Sequence, residues 1–216
     1  MPYRTKQKKI LIADDHAVVR KGLKQIILEG MLDVEVDEAA NGLEAQQMAQ
    51  KNSYDVIVLD ISLPGKNGLD VLKQLIELRT NSKILILSIY PEDQYGIRVI
   101  KAGASGFLNK DSAPNELVDA INTLLIGRKY VTTKIAQQMA EQISAGSKQP
   151  HEMLSDREFQ VMQLLANGIT VNEIAEQLNL SAATINTYRA RVLNKLNLRN
   201  HAELARYVID AGLASK

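Results

Sequence analysis

Along residues 9–127, short apolar runs alternate with segments of helical period. The runs lie near 9–13, 33–37, 55–60, 83–88 and 105–109, and the helical segments near 16–29, 42–51, 68–79, 93–102 and 114–127. Runs such as Ile10-Leu11-Ile12 and Val56-Ile57-Val58-Leu59 are apolar at consecutive positions, which marks strands buried on both faces of a parallel sheet. Five strands alternating with five helices predict a doubly wound (βα)5 α/β domain with right-handed crossovers. Gly65 and Gly68 punctuate the turn after Asp60, and Pro114 suits the opening of the fifth helix.

After Gly127 the pattern changes. Lys134 to Ile143 is polar but helix-prone, and Ser144-Ala145-Gly146-Ser147-Lys148-Gln149-Pro150 reads as a flexible linker. Residues 1–128 therefore form one expected domain, 129–151 a linker with a short helix, and 152–216 a second, all-α domain. That second domain has three helix starts with one local signature. Ser155 with Glu158 and Thr170 with Glu173 are capping boxes, while Ser181 keeps the cap but has Thr184 where Glu would stand. A helix start without that carboxylate suits a phosphate.

The helices near 170–178 and 181–196 are joined only by Asn179-Leu180, and Asn179 can take the left-handed conformation of a tight turn. This predicts a helix-turn-helix within a four-helix domain. Around its second helix, Ile185, Tyr188, Val192 and Leu196 share one face and are expected to pack inward. Asn186, Thr187, Ala190, Arg191 and Asn194 share the opposite face, with Lys195 on the flank. No acidic residue occurs between Glu176 and Glu203, whereas Arg189, Arg191, Lys195 and Arg199 all do. That local basic stretch is an electrostatic footprint for nucleic acid, which the net charge of +1 conceals.

Composition narrows the options. The 216 residues include no cysteine, so disulfides and zinc-thiolate sites are excluded. Met1 to Lys9 lacks a signal-peptide core, and no apolar run approaches the roughly 20 residues that span a bilayer. A cytoplasmic protein without membrane contact is expected.

The chemistry lies where the strands stop. Asp14-Asp15, Asp60, Ser88 and Lys110 each follow or end a different apolar run. In an open parallel sheet this is where ligands bind. Two carboxylates about 4 Å apart repel by roughly 4 kcal/mol at an effective dielectric of 20, so three of them call for a cation. All-oxygen donors favour Mg²⁺ before Ca²⁺ or Mn²⁺. Three carboxylates, a hydroxyl and an ammonium suit phosphoryl transfer onto an aspartate.

Asp14-Asp15-His16, Asp60-Ile61-Ser62-Leu63-Pro64-Gly65, Ser88 and Lys110-Asp111 together resemble the receiver domain of a bacterial response regulator, which has a flavodoxin-like fold. The resemblance implies that Asp60 is the phosphoacceptor and that Asp14, Asp15, Asp60 and the Ser62 backbone carbonyl hold Mg²⁺. It also implies that Ser88, Lys110 and Phe107 form the switch. Many receivers place proline after the lysine; Asp111 here is the version common in the NarL/FixJ branch. The second domain resembles the LuxR-type DNA-binding domain of that branch through Leu154-Ser155-x-Arg157-Glu158, Asn172-Glu173-Ile174-Ala175, Leu180-Ser181, Thr184-Ile185 and Lys195-Leu196. Its implied DNA-contacting residues are Thr170, Thr184, Asn186, Thr187, Ala190, Arg191, Asn194, Lys195 and Arg199. Many relatives carry Lys at the Asn186 position, His at Tyr188 and, in some cases, Lys at Ala190. Fewer charges favour direct readout, with Asn186 on adenine and Ala190 on a thymine methyl.

The expectation is a two-component regulator, not an enzyme, in which phosphorylation of Asp60 gates dimerisation and sequence-specific binding of double-stranded DNA to regulate transcription. Its expected partners are a cognate sensor histidine kinase, a second copy of the chain when phosphorylated, and RNA polymerase as a further candidate. The alternative is a phosphorylation-independent DNA-binding regulator whose receiver serves as a dimerisation or partner module. A dehalogenase-like phosphatase fits poorly, because it needs its two aspartates two residues apart on the first strand. Among the histidines, His16 reads as a helix cap, His151 falls in the linker and His201 opens the last helix. None is assigned a metal.

Overall fold

The computed structural model describes residues 7–63, 68–78, 81–90, 92–145 and 149–214. The Pro64-Gly65 end of the Asp60 motif and residues 146–148 of the expected linker lie outside them. The chain divides into two compact units, Met1–Ile135 and Ala136–Lys216.

The first unit carries five parallel strands: β1 (Lys8–Ala13), β2 (Val34–Ala39), β3 (Val56–Asp60), β4 (Lys83–Ser88) and β5 (Gly106–Asn109), in the order β2-β1-β3-β4-β5. Between and after them run α1 (Ala17–Gly30), α2 (Gly42–Lys51), α3 (Gly68–Glu77), α4 (Glu92–Lys101) and α5 (Ala113–Leu125). This is the doubly wound flavodoxin-like arrangement, with strand order reversing between β1 and β3. Every residue of β3 is buried. Ile10, Ile12, Val56, Val58, Leu85 and Leu87 share one core with Leu23 and Ile27 of α1 and Leu117, Ile121 and Leu124 of α5.

The boundaries have local causes. Asp33 sits in the left-handed region at φ 52°, which turns the chain so that β2 begins at Val34 rather than 33. β2 then continues to Ala39, because all six of its residues register with β1 from Lys8 to Ala13. Pro114 stands one residue inside α5. Its missing N–H is harmless there, where the helix has no intrahelical acceptor to offer.

Beyond α5, Tyr130 forms an isolated parallel bridge to Gly106. Its N–H donates to Ser105 O at 3.0 Å, and its carbonyl accepts from Phe107 N–H at 3.1 Å. The Tyr130 hydroxyl donates to Glu116 Oε2 at 2.7 Å. Burial and that carboxylate push the phenol pKa up to about 12. The first residues expected in the linker are thus fastened to β5. A side chain at Gly106 would meet Tyr130 O at 2.9 Å. Helix α6 (Thr133–Ala145) follows.

In the second unit a short 3-10 helix (Pro150–Met153) leads into α7 (Asp156–Ala166), α8 (Val171–Leu178), α9 (Ala182–Lys195) and α10 (His201–Asp210). His151, expected in the linker, instead belongs to this unit. Its ring nitrogen lies 2.9 Å from the Tyr207 hydroxyl of α10, and its ring stands edge-on to the Tyr207 ring. The apolar face of each helix builds the core, with Phe159, Met162, Ile174, Ile185, Val192, Leu204 and Val208 buried. Among the described residues, no helix is long and apolar enough to cross a membrane.

Candidate functional site

The strand ends bring the predicted residues together. Asp14 follows β1, Asp60 ends β3, Ser88 ends β4 and Lys110 follows β5. Asp14, Asp60 and Ser88 are fully buried. The Lys110 ammonium donates to Asp14 Oδ2 at 2.6 Å and to Asp60 Oδ2 at 2.7 Å. The other oxygen of each carboxylate accepts a backbone N–H two residues further on: His16 N to Asp14 Oδ1 at 2.8 Å, and Ser62 N to Asp60 Oδ1 at 2.9 Å. The two acids are therefore held in the same way, one lysine bridging them and one tight turn closing each.

Electrostatics follow from this burial. Loss of water pushes the Asp60 carboxyl above its ordinary value, although Lys110 pulls it the other way. Burial of Lys110 disfavours its ammonium, but Asp60 and Asp14 outweigh that and hold its proton more firmly than usual. Lys110 is fixed from behind by its own backbone, whose N–H donates to Ser88 O at 2.8 Å. Ser88 Oγ accepts from Tyr90 N–H at 2.9 Å, which leaves the hydroxyl proton to serve as a donor. Phe107 is buried in β5.

The donor set fits a hard divalent cation. Atoms of Asp14, Asp15, His16 and Asp60 that could hold a metal lie within 4.8 Å of one another. Asp15 Oδ1 and Ser62 Oγ are buried without a hydrogen-bond partner. Unsatisfied buried oxygens cost about 1–3 kcal/mol each, and a cation removes that cost for those it reaches. Gly68 closes the far side. Its N–H donates to Ile61 O at 3.1 Å, and a Cβ there would stand 2.5 Å from Ile61 Cα and 2.7 Å from Asp60 O.

Of two further residues near this pocket, the sequence gives Arg20 no role and reads His16 as a helix cap. Arg20 donates from Nη1 to Asp14 O at 2.7 Å and so fixes the backbone that aims the acid. His16 is the N-cap residue of α1, yet its side chain makes no capping hydrogen bond. Its Nδ1 lies 3.3 Å from Asp14 Oδ1 and 3.0 Å from Asp15 Oδ1.

The second unit presents its expected face. Asn179 adopts φ 53° and ψ 49°, the left-handed turn between α8 and α9. Ser155 and Thr170 close full capping boxes, and Ser181 accepts from Thr184 N–H. Ile185, Val192 and Leu196 are buried, and Tyr188 is half-buried. Asn186, Thr187, Ala190, Arg191, Asn194, Lys195 and Arg199 are exposed, as is Thr170, while Thr184 is half-buried. Lys195 is the exception to a free reading face. Its ammonium donates to Glu158 Oε2 at 2.7 Å, an acid that is 3 % exposed. The Thr187 hydroxyl donates back to Ala183 O, within its own helix.

Comparison with known proteins agrees over both units. Residues 10–122 match the response regulator receiver domain, and residues 152–208 match the bacterial regulatory proteins of the luxR family. The chain is 39 % identical over 209 residues to the response regulator UvrY of Escherichia coli K12, covering 95 % of each protein. It is 35 % identical to the oxygen regulatory protein NreC of Staphylococcus carnosus, over 95 % of this chain and 98 % of that one. Among solved structures, RcsB of Salmonella typhimurium aligns with a TM-score of 0.66 at 26 % identity, covering 96 % of this chain and 99 % of that one. A second structure, RcsB of Salmonella enterica serovar Typhimurium bound to promoter rprA in the presence of the phosphomimetic BeF3⁻, aligns with a TM-score of 0.63 at 26 % identity over 94 % and 99 %.

Proposed function

The chain belongs to the two-component response regulators that join a receiver domain to a LuxR-type DNA-binding domain, and from that premise we propose that phosphorylation of Asp60 gates its binding to promoter DNA. The observation that carries this reading is the Lys110 bridge. One ammonium holds a buried carboxylate at the end of β3 against the acidic pocket behind β1.

In the proposed reaction an Asp60 carboxylate oxygen attacks phosphorus of the donor, a sensor kinase phosphohistidine or a small phosphodonor. The new oxygen–phosphorus bond forms as the donor's bond breaks, and the leaving group keeps that electron pair. Asp14, Asp15, Asp60 and the Ser62 carbonyl would hold Mg²⁺, which when bound offsets charge on the phosphoryl oxygens. Lys110 shifts one contact from Asp60 to a phosphoryl oxygen, trading a carboxylate for an anion of greater charge. Ser88 Oγ–H turns to donate to the same group, and Phe107 moves into the space behind it. Phe107 and Tyr130 share a hydrogen bond, which gives that motion a route to the chain beyond β5.

The output is DNA binding by the α8–α9 pair. Thr170, Thr184, Asn186, Thr187, Ala190, Arg191, Asn194 and Arg199 would meet DNA, with Lys195 contributing only when released from Glu158. RcsB is described as two dimers bound to two parallel DNAs. By analogy a phosphorylated homodimer presents two α9 helices to adjacent half-sites. RNA polymerase is the further partner such a regulator would meet there.

The test is intact mass after incubation with Mg²⁺ and acetyl phosphate, followed by DNA binding by the same samples. Wild type is expected to gain one phosphoryl group and bind DNA more tightly, whereas Asp60→Asn gains none and keeps basal binding. Phosphate uptake without any change in DNA affinity would overturn the gating.

A further inference from the structure

At the β5 border of the sheet the first unit holds a cavity of about 380 Å³. Phe107 and Leu108 of β5 form its floor. Its walls are α4, through Glu92, and the start of α5, through Ser112 and Glu116, while the chain beyond α5 closes it with Thr132. That closing segment is tied at both ends. Tyr130 is bridged to β5 and bonded to Glu116. Ile135 is fully buried, and a Cβ placed on Gly96 of α4 would stand 2.5 Å from its Cδ1. Between them, Thr132 Oγ1 accepts the Ile135 N–H at 3.3 Å. A cavity of this size, with an apolar floor and a few polar groups on its walls, has the form of a small-molecule site.

Charge narrows the class of ligand. Among the described residues that line the cavity there is no Lys, Arg or His, whereas the two facing helices each bring one half-buried acid. Glu92 makes no hydrogen bond or ion pair among the described residues. Glu116 Oε2 accepts the Tyr130 hydroxyl, which leaves Oε1 for a ligand. Such walls repel an anion, and a ligand with one cationic end would answer only one of them. We propose that the cavity binds a small aliphatic diamine, its methylene stem on Phe107 and Leu108 and one ammonium on each of Glu92 and Glu116. An ammonium has three donors and no acceptor, so the Ser112 and Thr132 hydroxyls complete the set as acceptors. Because Phe107 lines the cavity, occupancy and phosphorylation of Asp60 are linked, each changing the other by the same factor. That linkage rests on the gating proposed above; the binding itself does not.

The experiment uses the full chain and 1,4-diaminobutane, with Mg²⁺ present to occupy the acidic pocket at the strand ends. Calorimetry should show one diamine bound per chain. Binding of 1-aminobutane should be about fivefold weaker, for the loss of one partly screened ion pair, and 1,4-butanediol should not bind. Glu92→Gln and Glu116→Gln should each weaken the diamine by about fivefold for the same reason. Glutamine at 116 still accepts the Tyr130 hydroxyl, so the closing segment is kept. Equal diamine affinity in wild type and both variants, or no binding at all, overturns the site. Beryllofluoride should shift diamine affinity by about threefold or more if Phe107 carries the linkage. Diamine binding that ignores beryllofluoride removes the linkage, and DNA binding that still tightens with acetyl phosphate then leaves the gating standing.

Discussion

Lys195, in the last turn of α9, reaches back to the first turn of α7 and places its ammonium 2.7 Å from Glu158 Oε2. The same oxygen accepts the Ser155 N–H at 2.7 Å and so also closes the α7 capping box. One buried carboxylate thereby pins the end of the recognition helix to the start of the helix beneath it. Removing Lys195 leaves that acid buried without its countercharge. Lys195→Ala should destabilise the second unit by about 1–3 kcal/mol, the lower range reflecting the exposure of the lysine. Glu158→Gln should recover part of that loss in the double variant. Chemical denaturation of the single and double variants measures the coupling.

The pH dependence of that unit follows from the same acid. Burial alone would raise the Glu158 pKa, but Lys195 and the Ser155 hydrogen bonds outweigh it and hold the carboxyl below its usual value of 4.5. A depressed folded pKa contributes stability above the unfolded value, and that stability is lost as pH falls through the folded one. Thermal melts should show the wild type losing stability more steeply than Glu158→Gln as pH drops below about 4.5. Parallel curves would show that the pair contributes nothing.

In the receiver, Lys110→Ala strips the shared ammonium from Asp14 and Asp60. In metal-free buffer the variant should melt well below wild type. Added Mg²⁺ should raise its Tm by more than it raises that of the wild type, because ion binding then relieves a repulsion that Lys110 otherwise relieves. Scanning calorimetry against Mg²⁺ concentration reads this directly.

Gly68→Ala should damage the phosphoacceptor loop, since the added methyl meets backbone atoms of Asp60 and Ile61 below 3.0 Å. A cost of about 1–3 kcal/mol is expected, together with slower phosphoryl uptake from acetyl phosphate. Wild-type rates in a stable Gly68→Ala protein would show that the loop tolerates the shift.

On α9, Arg191→Ala and Asn186→Ala should separate two kinds of contact. Loss of Arg191 should weaken all sequences about equally and reduce the salt slope by about 1, as for one phosphate contact. Loss of Asn186 should relax preference at one base pair by about 1–3 kcal/mol with the salt slope unchanged. Binding titrations at several salt concentrations, on matched and mismatched sites, distinguish them.

What could be read from sequence, and what could not, divides along physical lines. Asp60, Ser88 and Lys110 were legible because each ends an apolar run, and a buried parallel strand must stop where its polar residues begin. Asn179 was legible because a two-residue gap between helices leaves few conformations. The ion pair of Lys195 was not legible, since its partner lies 37 residues away and no local pattern pairs them. Tyr130 gave no signal because a single bridge has no period. His16 looked like a cap because it stands directly before α1; only the positions of its acidic neighbours set it apart.

The fastening of Tyr130 to Gly106 also governs how the sheet meets the outside. A parallel sheet has two borders, and each unpaired border is a template for another strand. On the β5 side that template is already engaged by Tyr130. The β2 side carries Glu35, Asp37 and Glu38 along one short strand, the first paired with Lys9 and the last with Arg20 and Lys24, and charged side chains on an edge strand discourage pairing with another sheet. Neither border welcomes a second copy. The pairing of copies that the proposed function requires is then expected through helices, where it can be undone instead of growing into a continuous sheet.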